Sequence, residues 1–184
     1  MTERLWHFRS NRVFSDQEVL TPGPLGLKIS RMKSLELKIL PPAVAALIAV
    51  GMWRISLLAP LLQLPTVSRV SVSLAIALAG GGFNLAGAIS FRGAKTTINP
   101  MKPAASSSLV TSGIYRVTRN PMYLGLLLVL VAWATFLSSA WALLGPAAFV
   151  LFTNRFQIAP EERVLSALFG AEYTAYQSRV RRWL

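Results

Sequence analysis

Two groups of polar residues stand on either side of an apolar stretch and could act together. Tyr115, Arg119 and Asn120 precede one apolar segment, and Glu161-Glu162 follow the next one. A charge beside bilayer-length apolar sequence costs several kcal/mol unless it is paired or ligated. A bound, charged ligand would supply such a partner.

The composition is typical of an integral membrane protein. Apolar residues make up 53% of the 184 residues and charged residues only 14%, outside the range of soluble domains. The length suits one compact helical bundle, and no polar linker separates a second domain. We expect a single membrane domain over residues 32–184.

The rarity of some reactive side chains excludes several chemistries. The chain has no cysteine, and its one histidine, His7, lies in a polar, basic stretch. Thiol nucleophiles, thiolate metal sites and imidazole-based catalysis are therefore not expected, and we expect no metal. Nucleic acid is not expected as a partner either, because the basic residues flank apolar segments.

Four windows are apolar enough to cross a bilayer, which takes about 20 helical residues. They are residues 41–62, 68–91, 121–138 and 140–158. The sequence therefore predicts an all-α membrane bundle of about four transmembrane helices.

The second window is rich in small residues. It contains Gly80-Gly81-Gly82, Asn84 and Gly87, which allow helices to approach closely. A ligand groove against these glycines is the alternative. The same glycines could pack within one protomer or between two, so the oligomeric state stays open.

The turn near Ser138-Ser139 is too short for anything but an antiparallel helical hairpin. The hairpin returns Asn154 and Arg155 to the membrane face of Arg119 and Asn120. We expect the two polar groups to face each other.

Basic residues indicate the orientation in the bilayer. Seven lie before the first window, five in the 92–119 loop and five in the tail from Arg155, whereas only Arg54 and Arg69 lie towards the other side. The positive-inside rule then predicts cytoplasmic termini and a multi-pass protein against an anionic leaflet.

The sequence of two polar segments gives less information about their structure. Residues 1–31 are basic and broken by Thr21-Pro22-Gly23-Pro24, which predicts a poorly ordered extension, and translation starting at Met32 is an alternative to Met1. The 92–119 loop carries turn residues at Asn99-Pro100, which favour partial order over a solvated connector.

After the fourth window, Pro160 and Glu161-Glu162 suit the first turn of a helix, where the dipole favours carboxylates. Favourable interaction with the helix dipole would by itself explain one of these two glutamates. The tail beyond has apolar residues at helical spacing on either side of Gly170, which predicts cytoplasmic amphipathic helices at the interface. Arg179, Arg181 and Arg182 are expected to face lipid phosphates.

The chain resembles the superfamily of isoprenylcysteine carboxyl methyltransferases and phospholipid methyltransferases. The family has a pattern of glycine, tyrosine, Arg-His-Pro, tyrosine, an apolar segment and Glu-Glu. This sequence matches it with Gly113, Tyr115, Arg119, Asn120, Pro121, Tyr123, Glu161 and Glu162. The resemblance covers residues 92–184 well and the first two windows by hydropathy alone. Asn120 departs from the family's histidine, so it can hydrogen-bond but cannot carry a titrating proton.

The resemblance implies S-adenosylmethionine as cofactor, at the cytoplasmic ends of the last two spans. Arg119 or the turn near Gly113 would bind its carboxylate, and Glu161 or Glu162 its ammonium group or ribose hydroxyls. Tyr115 and Tyr123 would pack around the adenosine or the sulfonium.

Methyl transfer depends mainly on alignment of the reacting atoms. A carboxylate acceptor needs no base, so the absence of histidine favours an already anionic acceptor, although a thiol and a phospholipid amine stay open. Arg155 and Asn154, with Arg163 as second choice, are candidates for holding a lipophilic or small acceptor. Anchoring of the helix end is their alternative role.

Two other functions are compatible with the pattern. Sterol-reductase-type membrane enzymes, which use NADPH, resemble this family in their C-terminal part but are generally longer. A non-catalytic membrane interaction protein would leave Arg119 and the paired glutamates unexplained.

Overall fold

The computed structural model describes residues 39–58, 62, 64–93 and 108–184, and this part of the chain is helical, with no strands. The helices are α1 (Pro41–Leu58), α2 (Thr66–Gly93), α3 (Pro121–Leu137), α4 (Leu144–Thr153) and α5 (Ala159–Arg179). The all-α prediction is confirmed there. The predicted extension 1–31, the alternative start at Met32 and residues 94–107 of the loop lie outside the described residues.

Within the described ranges, two helices are long and apolar enough to cross a membrane, α1 and residues Thr66–Arg92 of α2. Both expose large apolar side chains: Leu47 is 75% exposed, Leu58 91% and Val67 78%. Such side chains suit a lipid environment. Helix α3 is apolar but has 17 residues, and α4 has 10.

The fourth predicted window is not one continuous α-helix. A 3₁₀ turn occupies Ala140–Leu143, α4 follows, and a π turn occupies Asn154–Ile158. Hydropathy reports the apolar character of this window but not its hydrogen-bond pattern.

The predicted close packing of the glycine-rich helix is confirmed for α2 against α3. A Cβ atom on Gly80 would lie 2.7 Å from the carbonyl oxygen of Gly125, and one on Gly87 would lie 2.8 Å from Cγ of Met122. Gly82, by contrast, faces open space. The amide of Asn84 donates to the Gly80 carbonyl of its own helix at 3.0 Å.

The chain turns after α3 at Ser138, whose backbone is left-handed (φ 51). Phe149 of α4 is then fully buried with Leu130 of α3 and Met52 of α1. The indole of Trp133 donates to the carbonyl of Ala49 at 3.0 Å, which ties α3 to α1. This packing returns the chain along α3 and brings the start of α5 beside the start of α3.

Helix α5 continues from the π turn without a loop and is interrupted at Gly170, where φ is 47 and ψ is −119. Residues with a side chain rarely adopt this backbone conformation, whereas glycine adopts it without penalty. Tyr173 and Tyr176 therefore lie on a separately directed segment, where they are buried with Val180. The tail is helical on both sides of Gly170, as its apolar spacing predicts.

Candidate functional site

The hairpin brings the first turn of α5 against the first turn of α3. The hydroxyl of Tyr123 donates to Oε1 of Glu161 at 2.6 Å. Pro121 opens α3 at a position where a missing N–H is harmless. Thirty-eight residues separate the two bonded side chains, so the contact depends on the hairpin.

Glu162 lies between two arginines. Nη1 of Arg119 is 3.2 Å from its Oε1, and Nε of Arg182 donates to the same oxygen at 3.1 Å. Nη2 of Arg182 donates to Oε2. Bidentate pairs of this kind are among the stronger charge-assisted hydrogen bonds. These contacts place Glu162 opposite Arg119, as the hairpin predicts, and the predicted opposition of Asn154 and Arg155 to Arg119 and Asn120 stays a prediction.

The C-terminal segment, residues 180–184, lies against the loop before α3. The amide of Arg119 donates to the carbonyl of Arg181 at 3.0 Å. The carbonyl of Arg182 accepts from Asn120 Nδ2 at 2.9 Å and from Thr118 Oγ1 at 3.2 Å. These bonds fix the backbone of the segment beside the start of α3 and carry the Arg182 side chain to Glu162.

An aromatic wall completes the site. The hydroxyl of Tyr176 donates to the carbonyl of Tyr115 at 2.7 Å, and Phe91 meets the Tyr115 ring edge-on, with centroids 5.4 Å apart. Tyr173 hydrogen-bonds Arg119 through its side chain. The rings are buried or partly buried, so they form a rigid apolar surface next to the charged groups.

These groups line one cavity of about 310 Å³, at the lower end of the range for small-molecule sites, which is about 300–1,000 Å³. Its polar and aromatic lining consists of Asn84, Phe91, Ser108, Tyr115, Arg119, Asn120, Tyr123, Glu161, Glu162, Tyr173 and Tyr176. Nε of Arg119 is buried and has no hydrogen-bond partner among the described residues. An unpartnered buried guanidinium N–H is costly, and a ligand carboxylate would satisfy it.

Burial changes the acid–base properties of the site. It raises the pKa of Glu161 to about 8, the Tyr123 hydroxyl opposes this rise, and the charge of Glu162 adds to it. Burial also raises the pKa of Tyr115. The Tyr115 phenol therefore stays neutral, whereas Glu161 changes charge near neutral pH.

Six of the residues that the family pattern singles out line the cavity: Tyr115, Arg119, Asn120, Tyr123, Glu161 and Glu162. Gly113 and Pro121 do not. Gly113 has a positive φ of 61, and a Cβ there would lie 2.6 Å from Oγ of Ser90. It allows the 3₁₀ turn Gly113–Arg116 to approach α2, while Pro121 begins α3.

The three residues predicted to hold an acceptor do not line the cavity. Oδ1 of Asn154 accepts from the indole of Trp183 at 3.2 Å. The guanidinium of Arg155 lies over the Phe156 ring, 5.6 Å from its centroid. Arg163 is exposed. A role of these residues in acceptor binding stays a prediction.

Sequence reasoning missed Arg182, Tyr173 and Tyr176. Arg182 was expected to face lipid phosphates, and the structure corrects this because its guanidinium pairs with Glu162. The spacing of Tyr173 and Tyr176 predicted that both lie on one face of the tail, packed on the bundle or lying in the headgroups, and the structure buries both. That spacing carried no information about the cavity they would enclose.

An apolar groove lies between α1, α2 and α3 and has Pro42 and Leu126 in common with the cavity. Its walls include Ala45, Ala49, Leu74, Ala77, Leu130 and Trp133. The charged cavity and the apolar groove are therefore neighbours.

Comparison with known proteins identifies the class. The chain belongs to the phospholipid methyltransferase family, whose sequence model matches residues 68–172. The match includes Tyr123, Glu161 and Glu162 and ends before Arg182. Membership implies methyltransferase activity, and the two long apolar helices agree with a membrane protein.

A protein of Haemophilus influenzae described as uncharacterized is 52% identical over 63 residues, which are 34% of this chain and all of that protein. No solved structure matches the chain.

Proposed function

We propose that this protein transfers a methyl group from S-adenosylmethionine to a lipophilic or small acceptor at the cytoplasmic face of a membrane. The observation that carries the proposal is the single cavity in which Arg119, Glu161 and Glu162 meet an aromatic wall. Family membership supplies the reaction class, and the residues of the cavity support the choice of cofactor.

The chemistry of the cavity fits the groups of S-adenosylmethionine. The unpartnered Nε of Arg119 suits the aminoacyl carboxylate, and one carboxylate of the Glu161-Glu162 pair suits the ammonium group or the ribose hydroxyls. The rings of Tyr115 and Tyr123 suit the adenine or the sulfonium. Asn120 also lines the cavity, and its Nδ2 donates to the Arg182 carbonyl.

The cofactor would supply an activated methyl group, and the protein would supply alignment. The ion pair between Arg119 and Glu162 at 3.2 Å orients both side chains before any ligand binds. The buried tyrosines exclude water from the same volume. Preorganised, dry surroundings of this kind suit a reaction that needs reacting atoms held in line.

The apolar groove supports a lipophilic acceptor. It has Pro42 and Leu126 in common with the cavity, so an apolar tail in the groove would place its polar end at the charged groups. Asn154, Arg155 and Arg163 would then contact an acceptor head group only if it extended beyond the cavity. The acceptor is a carboxylate, a thiol or an amine in this proposal.

The proposed topology has four membrane crossings with the site and both termini in the cytoplasm. Helices α1 and α2 meet the length and composition of a span, whereas α3 and α4 would cross as a shorter hairpin. The tail that carries Glu161 and Glu162 is also rich in arginine, with Arg155, Arg163, Arg179 and Arg181, which supports a cytoplasmic position through the positive-inside rule.

Isothermal titration of the detergent-purified protein with S-adenosylhomocysteine tests the proposal. We expect micromolar binding to the wild type and binding about tenfold weaker or worse in Glu162→Gln, because a charge-assisted hydrogen bond is lost. Glu172→Gln, on an exposed part of α5, is the matched control and should bind like the wild type. Absence of binding to a folded wild type would refute the cofactor, and NADPH would then be titrated to test the reductase alternative.

A further inference from the structure

Two adjacent glutamates in one cavity have different environments. Glu162 is paired with Arg119 and Arg182. Glu161 instead accepts the hydroxyl of Tyr123 at 2.6 Å, so a neutral donor holds it. Titratable pairs whose surroundings separate their pKa values are the usual basis for dividing acid–base roles in a site.

The groups that face Glu161 come from three elements. Tyr123 lies on α3, Tyr115 on the 3₁₀ turn and Glu162 on α5, and Glu162 is itself paired with Arg119. Burial is the main reason that the pKa of Glu161 lies near 8, and the Tyr123 hydroxyl limits the rise. A carboxylate with such a pKa is a far better proton acceptor near neutral pH than an exposed glutamate.

We infer that Glu161, oriented by Tyr123, is the proton acceptor for methyl transfer to an atom that must lose a proton. The inference rests on the proposed function and divides the two glutamates: Glu162 holds the cofactor with Arg119, and Glu161 accepts the proton. The acceptor is then of the amine or thiol class, whereas the sequence alone favoured an anionic acceptor because it offered no base.

An amine acceptor reacts in its uncharged form, in which nitrogen has a free lone pair. The nitrogen lone pair forms a bond to the methyl carbon, and the carbon–sulfur bond breaks with its electron pair remaining on sulfur. The proton moves from nitrogen to the carboxylate of Glu161, while Oη of Tyr123 continues to donate to Oε1. For a thiol, sulfur forms the bond and its proton takes the same path.

Infrared difference spectroscopy tests the carboxyl group without any ligand. We expect the wild type to lose a protonated-carboxyl stretch with a midpoint near pH 8 and Glu161→Gln to lack this band. Tyr123→Phe should move the midpoint upwards, because the hydroxyl bond stabilises the carboxylate. A spectrum of Glu161→Gln identical to that of the wild type would overturn the inference.

Measurements of cofactor binding and of turnover distinguish the roles of Glu161 and Glu162. The affinity of Glu161→Gln for S-adenosylhomocysteine should be within about threefold of the wild-type affinity. With dodecylamine or dodecanethiol as acceptor, the substitution should lower kcat by about 100-fold or more. The KM for S-adenosylmethionine should be nearly unchanged. A wild type that methylates dodecanoate alone, or a Glu161→Gln variant with wild-type kcat, would overturn the inference. Absence of S-adenosylhomocysteine binding to the wild type would refute the proposed function instead.

Discussion

The guanidinium group of Arg182 donates two hydrogen bonds to the carboxylate of Glu162, 20 residues earlier in the chain. The pair joins the end of the chain to the first turn of α5. Because Arg119 contacts the same carboxylate, three segments distant in sequence meet at one anion. Cofactor binding in our proposal depends on this anion, so a residue beyond the matched family region contributes to the site.

Arg182→Gln should weaken S-adenosylhomocysteine binding by about tenfold, because Glu162 loses its bidentate partner and its orientation. Arg181→Gln is the matched control, since the Arg181 side chain is exposed and only its carbonyl contacts Arg119. Isothermal titration of the two variants measures the difference. Equal affinities would show that the Arg182 pair has no influence on the cavity.

Gly80→Ala should destabilise the protein by about 1–3 kcal/mol, because the added methyl group would meet the Gly125 carbonyl. Gly82→Ala faces open space and should be neutral or should stabilise the helix by up to about 1 kcal/mol. Thermal unfolding of both variants in the same detergent gives the comparison. A Gly80→Ala variant as stable as Gly82→Ala would mean that α2 and α3 are not in contact there.

The stability of the protein without ligand should fall as pH rises through the titration of Glu161. Burial raises its pKa from 4.5 to about 8, so between these values the folded state binds more protons than the unfolded chain. The stabilisation by the neutral acid is therefore complete below about pH 4.5 and is lost as pH rises through about 8.

Glu161→Gln should remove this part of the pH dependence, since glutamine stays neutral. Unfolding temperatures of the wild type and the variant from about pH 5 to about pH 9 measure the effect. Parallel curves for the two proteins would contradict it.

Gly170→Ala should destabilise α5 by about 1–2 kcal/mol, because the backbone there has φ 47 and ψ −119. Beyond the adjacent backbone, no atom lies within 4 Å of the added Cβ, so the penalty comes from the local backbone conformation and not from packing against another segment. Gly51→Ala in α1, also with open space around it, is the control and should not destabilise. Similar unfolding temperatures for both variants would show that the break at Gly170 is not required.

Much of the site could be predicted from the sequence because one hairpin determines it. The short turn near Ser138 and two apolar windows place Glu161 and Glu162 opposite Tyr123 and Arg119, and the contacts agree. Arg182 could not be placed in this way. Its position depends on the break at Gly170 and on extended backbone at Val180 (φ −125, ψ 131), and neither has a hydrophobic period that sequence analysis could follow.

The fold was predicted at a coarser level. Hydropathy located the apolar windows, and the glycines of α2 predicted a close approach to a neighbouring helix, which the structure shows to be α3. Hydropathy could not predict that residues 140–158 would contain a 3₁₀ turn, a short α-helix and a π turn, because these differ in hydrogen bonding and not in polarity. Nor could it separate Gly80, which contacts α3, from Gly82, which does not.

The π turn at Asn154–Ile158 sets the rotational phase of α5. Its hydrogen bonds span one residue more than those of an α-helix, and one residue corresponds to about 100° of rotation around the helix axis. Deleting a single residue from this turn would direct Glu161 and Glu162 away from α3, although every residue of the family pattern would still be present. A relative that has the Glu-Glu pair but a shorter connection to it would therefore carry the motif without the site.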